Sequence, residues 1–270
     1  MSTDLPFAAR FESYGARVLF RANDEDVLNT VLGIARAELL GNIQPSSAGR
    51  YPLIFDLIGS PKRYEVLRNG EFIANGTPEP GSDRNLGGLI RLSVAEFSSD
   101  NVVLHAGAVG WQGRGIVLPA LSFNGKSSLV LELVKLGADY YSDDFAILDR
   151  DGMLHPFARE ISMRTREKVY TVYPVDPAKI GAGIGKHAIP VGLVFLTKYR
   201  SRTRWRPKLL TPGEGVFEVL PFTLPIRQQP QLALSVLQAV STHAVFAKSD
   251  RAEAKTAARK LLDFFDKTAI

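Results

Sequence analysis

At 270 residues the chain can hold one large domain or two smaller ones, and its 45% hydrophobic and 23% charged residues are ordinary for a globular protein. No apolar run approaches the roughly 18 residues of a bilayer span, no secretory signal opens the chain, and zero cysteines exclude disulfides and thiolate metal sites, which together fit a cytoplasmic protein with no membrane partner. A formal charge of +5 suits anionic ligands such as phosphates and does not by itself indicate nucleic acid.

Taken in chain order, Ala16 to Phe20 reads as a strand. Asp24-Glu-Asp-Val-Leu opens a helix with Val27, Leu28, Val31, Leu32 and Ala35 on one face. Tyr51 to Ile58 and Lys62 to Leu67 read as strands, and the Asn69-Gly70 turn pairs the second with Phe72 to Ala74. After the breaker cluster Thr77 to Asp83, the run Leu86 to Phe97 has helical periodicity. A boundary near Asp100 separates an α+β module over 1–100 from an α/β nucleotide-binding domain over 101–270.

In the second part Val102 to Val109 and Gly115 to Pro119 read as strands around the turn Trp111 to Arg114. A helix over Ser127 to Leu136 should stop at Gly137. Phe145 to Leu148 and Pro190 to Thr197 read as further strands, and Gln231 to Val240 and Ala252 to Phe265 as closing helices. Lys198, Arg200, Arg202, Arg204, Arg206 and Lys208 alternate; an unbroken strand would place all six on one face, and a turn near Ser201 to Thr203 would fold them into a hairpin. That stripe reads as a solvated face beside Trp205, or else as a dock for an acidic substrate or phosphates; without an aromatic platform, nucleic acid is not the expected partner.

The segment Gly115 to Leu131 is the most specific. A buried strand, a loop ending in Gly125-Lys126-Ser127 and a helix form the layout of a phosphate-binding loop, with Ser122, Phe123, Asn124, Gly125, Lys126, Ser127 and Ser128 as its cradle. Lys126 would reach the β- and γ-phosphates of ATP and Ser127 would ligate Mg2+. Two positions depart from the motif G-x-x-x-x-G-K-[ST]: Ala120 replaces its first glycine, and Phe123 is bulky where a small residue lets amides approach. A methyl at 120 is harmless if φ is negative and costs on the order of 1 kcal/mol if φ is positive. Downstream, Asp143 and Asp144 should point to opposite sides of a strand end, one holding Mg2+ and one accepting a hydroxyl proton. His105 by itself reads more readily as a core histidine than a catalytic one, and His155, His187 and His243 lack metal-ligand spacing.

The runs Leu104-His-Ala-Gly-Ala-Val109, Gly115 to Pro119, Asn124-Gly-Lys-Ser-Ser128, Gly137 to Asp144, Asp151 to Pro156, Pro190 to Tyr199 and Trp205 to Lys208 together resemble kinases related to the C-terminal domain of HPr kinase/phosphorylase. The resemblance covers about 100 to 265 and implies a core shared with phosphoenolpyruvate carboxykinase. It makes His105 an active-site residue, Asp143 the acceptor of a seryl proton and Asp144 a metal or supporting group, with Lys126 and Ser127 keeping their phosphate and Mg2+ roles. The family's Glu-x-Arg-Gly segment is missing, leaving Glu160 and Glu167 as weak substitutes and arguing against HPr as substrate. The expectation is a kinase that uses ATP and Mg2+ to phosphorylate a serine-type hydroxyl of a peptide or small protein, such as a precursor peptide in modified-peptide biosynthesis. The alternative is a nucleotide-binding regulator with a degenerate loop. Self-association into a homo-oligomer is compatible with either.

Overall fold

The structure is a computed structural model that describes residues 4–78, 82–121, 124–165 and 171–268. Its contacts divide the chain into two units, Met1–Asn101 with Arg227–Gln229, and Val102–Ile226 with Pro230–Ile270. No helix among the described residues is long and apolar enough to cross a membrane.

The first unit contains β1 (Phe7–Ser13), β2 (Ala16–Ala22), α1 (Glu25–Glu38), β3 (Gln44–Pro45), β4 (Leu53–Ser60), β5 (Arg63–Arg68), β6 (Glu71–Gly76) and α2 (Ser82–Glu96). Its described strands form a sheet in the order β3-β1-β2-β4-β5-β6, with β2 and β4 parallel across the connection that contains α1. Alternation places Val18, Phe20, Leu53, Phe55 and Leu57 in the core, where Val27, Val31, Leu86, Ile90 and Val94 of the helices meet them. Phe20 lies opposite Phe55 with ring centroids 4.9 Å apart, and Phe11 stacks on Phe20 at 5.6 Å. Each such ring contributes about 1.5–3 kcal/mol by burial. Asp24 caps α1 by accepting from the Val27 N–H at 3.0 Å. The Asn-Gly turn forms as the sequence predicts, with positive φ at Asn69 and Gly70. Glu38 of α1 and Arg91 of α2 form a largely buried ion pair, and a Cβ at Gly87 would meet Glu38 Cγ at 2.5 Å.

The second unit is mixed α/β. It runs through β7 (Val102–Trp111), β8 (Arg114–Pro119), α3 (Lys126–Lys135), β9 (Asp139–Ser142), β10 (Phe145–Leu148), β11 (Met153–His155), β12 (Ile161–Arg164) and β13 (Val172–Val175). It continues with β14 (Ile189–Tyr199), β15 (Lys208–Leu210), α4 (Pro212–Val219), α5 (Pro230–Ser241), β16 (Val245–Arg251) and α6 (Ala254–Thr268). The main described sheet has the order β11-β10-β7-β8-β14-β16-β15; β9 pairs with β7, and β11 also pairs with β14. β8, β14 and β16 are mutually parallel. One face, with Val109, Ile116, Leu118, Leu193 and Phe195, packs on Leu129, Val130 and Leu133 of α3 and Leu261 and Phe265 of α6. The other, with Leu104, Ala106, Ala108, Val117 and Val194, packs on Val219 of α4 and Ala233, Val236 and Val240 of α5. Gly137 ends α3 as predicted: at φ +100 it donates to Val134 O at 2.9 Å, while Ala138 N–H reaches Leu133 O at 3.2 Å.

The basic stripe is neither an unbroken strand nor a hairpin. β14 ends at Tyr199, Arg202 turns at φ +60, and β15 pairs with β16, which lies between it and β14. The chain leaves the strand because Trp205 stacks on Phe195 at 5.1 Å and the Arg206 N–H donates to Ser249 Oγ at 3.0 Å. Arg200 pairs with Asp250 at 3.0 Å, so the six cations do not share one face.

Candidate active site

The site forms where three segments meet. β7 runs antiparallel to β8 with Ala106 opposite Pro119, so the start of β7 lies beside the loop that leaves β8. His105, Gly107 and Val109 alternate onto the α3 face of β7. Gly107 lets the helix approach; a Cβ there would come 2.6 Å from Val130 Cγ2 and 3.2 Å from Lys126 Cγ. Phe145 of β10 lies opposite His105, and the Ala106 N–H donates to Asp144 O at 3.0 Å, which sets Asp144 at the histidine. The β7–β9 register shifts between Ala108 and Val109, a bulge that re-aims the chain before the two aspartates. Ser142 Oγ then accepts from the Asp144 N–H at 3.2 Å and the Phe145 N–H at 3.1 Å and fixes the bend.

The adjacent carboxylates diverge. Asp143, 4% exposed, accepts from Ser127 Oγ at 2.8 Å, from the Ser162 N–H at 3.0 Å and from Tyr140 OH at 3.3 Å. Asp144 turns the other way, with Oδ1 3.3 Å from His105 Nδ1 and 3.8 Å from Lys126 Nζ. Lys126 Nζ is also 3.1 Å from His105 Nε2. An ammonium can only donate, so with Lys126 charged Nε2 accepts and Nδ1 carries the ring proton towards Asp144. Lys126, His105 and Asp144 therefore form an oriented hydrogen-bond chain in which Lys126 donates to His105 and His105 to the Asp144 carboxylate.

Burial dominates the electrostatics. It raises the proton affinity of Asp143, aided by Asp144 and opposed by the bonds from Ser127 and Ser162 and by the Lys126 charge. Burial lowers that of Lys126, against Asp144 and Asp143, with Arg164 adding repulsion. Tyr140 is pushed far up by burial and by Asp143, so its hydroxyl stays a donor.

The expected residues His105, Lys126, Ser127, Asp143 and Asp144 thus come together. Asn124 and Gly125 lead into α3, with Gly125 at φ +74 as its N-cap, and Ser128 is half-buried in the first turn. Ser122 and Phe123 lie outside the described residues, as does Glu167, while Glu160 is exposed at the edge of β12. Ala120 is buried, and among the described non-glycine residues a positive φ occurs at Tyr14, Leu40, Asn69, Gln112 and Arg202, not at Ala120. Its methyl therefore carries no left-handed strain. Tyr140, Ser142, the Ser162 N–H and Arg164 were not foreseen; the Tyr-Tyr-Ser run before the aspartates is the one sequence signal that could have pointed to two of them. His155 is not isolated: its Nε2 lies 2.7 Å from Asp149 Oδ2, away from the cluster.

The donor set fits a nucleotide with Mg2+. A hydroxyl and two carboxylates are hard oxygen donors, and Mg2+ is commonly held by one or two carboxylates with phosphates and water supplying the rest. Among the described residues no three His, Asp or Glu side chains gather into a fuller metal cage.

No protein-family model matches the chain, and no curated protein matches its sequence. Among solved structures, the HPr(Ser) kinase/phosphatase from Coxiella burnetii resembles it with a TM-score of 0.35 and 13% identity, over 61% of this chain and 96% of that one.

Proposed function

We infer that this chain is an ATP- and Mg2+-dependent kinase that phosphorylates a serine-type hydroxyl of a peptide or small protein. The observation that carries the reading is the meeting of Lys126 and Ser127, at the start of a helix, with two diverging carboxylates and a histidine. When bound, the Mg2+–nucleotide supplies the phosphoryl group and the metal's charge. Lys126, steered by His105 and Asp144, neutralises phosphate charge at the helix N-terminus, where exposed amides also favour an anion. Ser127 and Asp144 would hold the metal. Asp143 takes the proton from the attacking hydroxyl, and its burial supports that role by making it a stronger base than an exposed aspartate. Catalysis of this kind is positioning and charge neutralisation, with little covalent work for the protein.

The test is calorimetric titration with Mg2+–ATP followed by transfer of labelled γ-phosphate to a library of serine-containing peptides. Wild type is expected to bind and to transfer. Asp143→Asn is expected to keep binding within a few-fold and to lose roughly 100-fold or more in transfer, the range set by general-base catalysis. Absence of nucleotide binding, or transfer indifferent to Asp143→Asn, sinks the reading. Binding without transfer by wild type leaves the regulator in its place.

A further inference from the structure

Arg251, the last residue of β16, is 2% exposed, and its guanidinium faces the loop before α3. Nη2 donates to Gly125 O at 2.6 Å and to Asn124 O at 3.3 Å, and Nη1 donates to Ala252 O at 3.0 Å. The Tyr199 ring, at the end of β14, lies 5.8 Å from the guanidinium carbon, within cation–π range. Nε has no hydrogen-bond partner among the described residues. The cation is thus met by carbonyl oxygens and a ring face, with Glu253 and Tyr199 acting on it electrostatically against a burial that weakens its hold on the proton.

Three further facts give this placement a direction. Gly125 has φ +74, and a Cβ on it would lie 2.5 Å from Nη2, so a side chain there would both strain the backbone and displace the guanidinium. β8, β14 and β16 are parallel, β14 and β16 end opposite each other at Tyr199 and Arg251, and the carboxyl ends of parallel strands are where α/β proteins place ligands. In a trans peptide the C=O and the next N–H point in opposite directions. Holding Asn124 O and Gly125 O on the arginine's side therefore turns the N–H groups of Gly125 and Lys126 to the other side.

We propose that Arg251 is a positioning residue for this loop: it fixes two carbonyls so that the amides opening α3 face a bound polyphosphate, whose charge in turn compensates the buried cation. The proposal rests on the kinase reading and deepens it by assigning the loop's phosphate selectivity to a residue on the last strand. Lys126 remains the group that touches the phosphates; Arg251 acts through the backbone.

The experiment titrates the full chain with Mg2+–ATP, Mg2+–ADP and AMP by calorimetry, in wild type, Arg251→Lys and Arg251→Gln. Circular dichroism and a thermal melt establish the folded fraction of each. Wild type is expected to prefer ATP over AMP. Arg251→Gln is expected to lose about tenfold or more in ATP affinity and much less in AMP affinity, so that the ATP/AMP preference collapses. Arg251→Lys, which keeps a charge but not the planar fork, is expected to fall between. If Arg251→Gln does not fold, Arg251→Lys carries the same comparison. Variants that keep the wild-type ATP/AMP preference, or lose affinity for all three nucleotides by the same factor, overturn the proposal. Absence of nucleotide binding by wild type would instead overturn the kinase reading.

Discussion

Asp143 has three hydrogen-bond donors around it, and its proton affinity still lies above that of an ordinary carboxylate because burial outweighs them. As the general base of the proposed kinase, Asp143 must be ionised, so kcat/KM is expected to fall on acidification at a pH above the ordinary aspartate value of about 4. Tyr140→Phe removes a donor that favours the charged form, so the acid limb should move to still higher pH. A pH–rate profile of both proteins checks this; an unmoved or lowered limb counts against Asp143 as the titrating base. The placement of Lys126 and Ser127 at the start of a helix was legible in the sequence from the strand, loop and Gly-Lys-Ser spacing before it. Arg251 was not, since a lone arginine at a strand end looks like any surface cation until a loop 126 positions earlier is seen to fold against it. Tyr140 was hidden for a related reason: its hydroxyl is used three residues away, across a bulge that no residue pattern announces.

Among the elements, the start of α1, the Asn69-Gly70 turn and the end of α3 were read well because their chemistry is local, whereas α2 begins at Ser82, inside the expected breaker cluster Thr77 to Asp83 and four residues before the expected start at Leu86. Asp24 and Gly137 each act within a few residues of themselves, and Asn69-Gly70 turns through its own positive φ values although the Asn69 side chain also bonds Ile54 and Pro52. Elements stabilised mainly by their neighbours were missed. β1 alternates only weakly, β12 and β13 are four residues each, and β16 was passed over although it pairs with both β14 and β15. The hairpin expected in the basic stripe failed because that strand's partner comes from beyond α5, not from the adjacent segment. The contact of β7 with α3 makes a prediction at this scale. Gly107→Ala drives a methyl into Val130 and crowds Lys126, which should cost roughly 1–3 kcal/mol of stability as overpacking. Thermal melting checks this: an unchanged Tm would mean that α3 can shift away freely. On the proposed kinase reading the same substitution should also lower nucleotide affinity, because the helix that moves carries Lys126 and Ser127.

For the molecule as a whole, the two units have their own interiors. The core of the first draws its buried residues from Phe11 to Val94, and the later segment that belongs to this unit, Arg227–Gln229, contributes none of those residues. A fragment ending at Asn101 is therefore expected to melt cooperatively by itself; a gradual, non-cooperative loss of ellipticity would refute its independence. Within that unit, Glu38, Gly87 and Arg91 impose a constraint of inheritance. Glu38 and Arg91 are charges removed from water together, and Gly87 provides the space in which the glutamate stem lies. Loss of either charge alone removes this pairing from a mostly buried partner, at a cost of up to about 3–5 kcal/mol, and a larger residue at 87 meets the glutamate stem. Single steps away from this trio are steep and a concerted step to apolar residues is shallow, so in diverging lineages the three positions should change as a block or not at all.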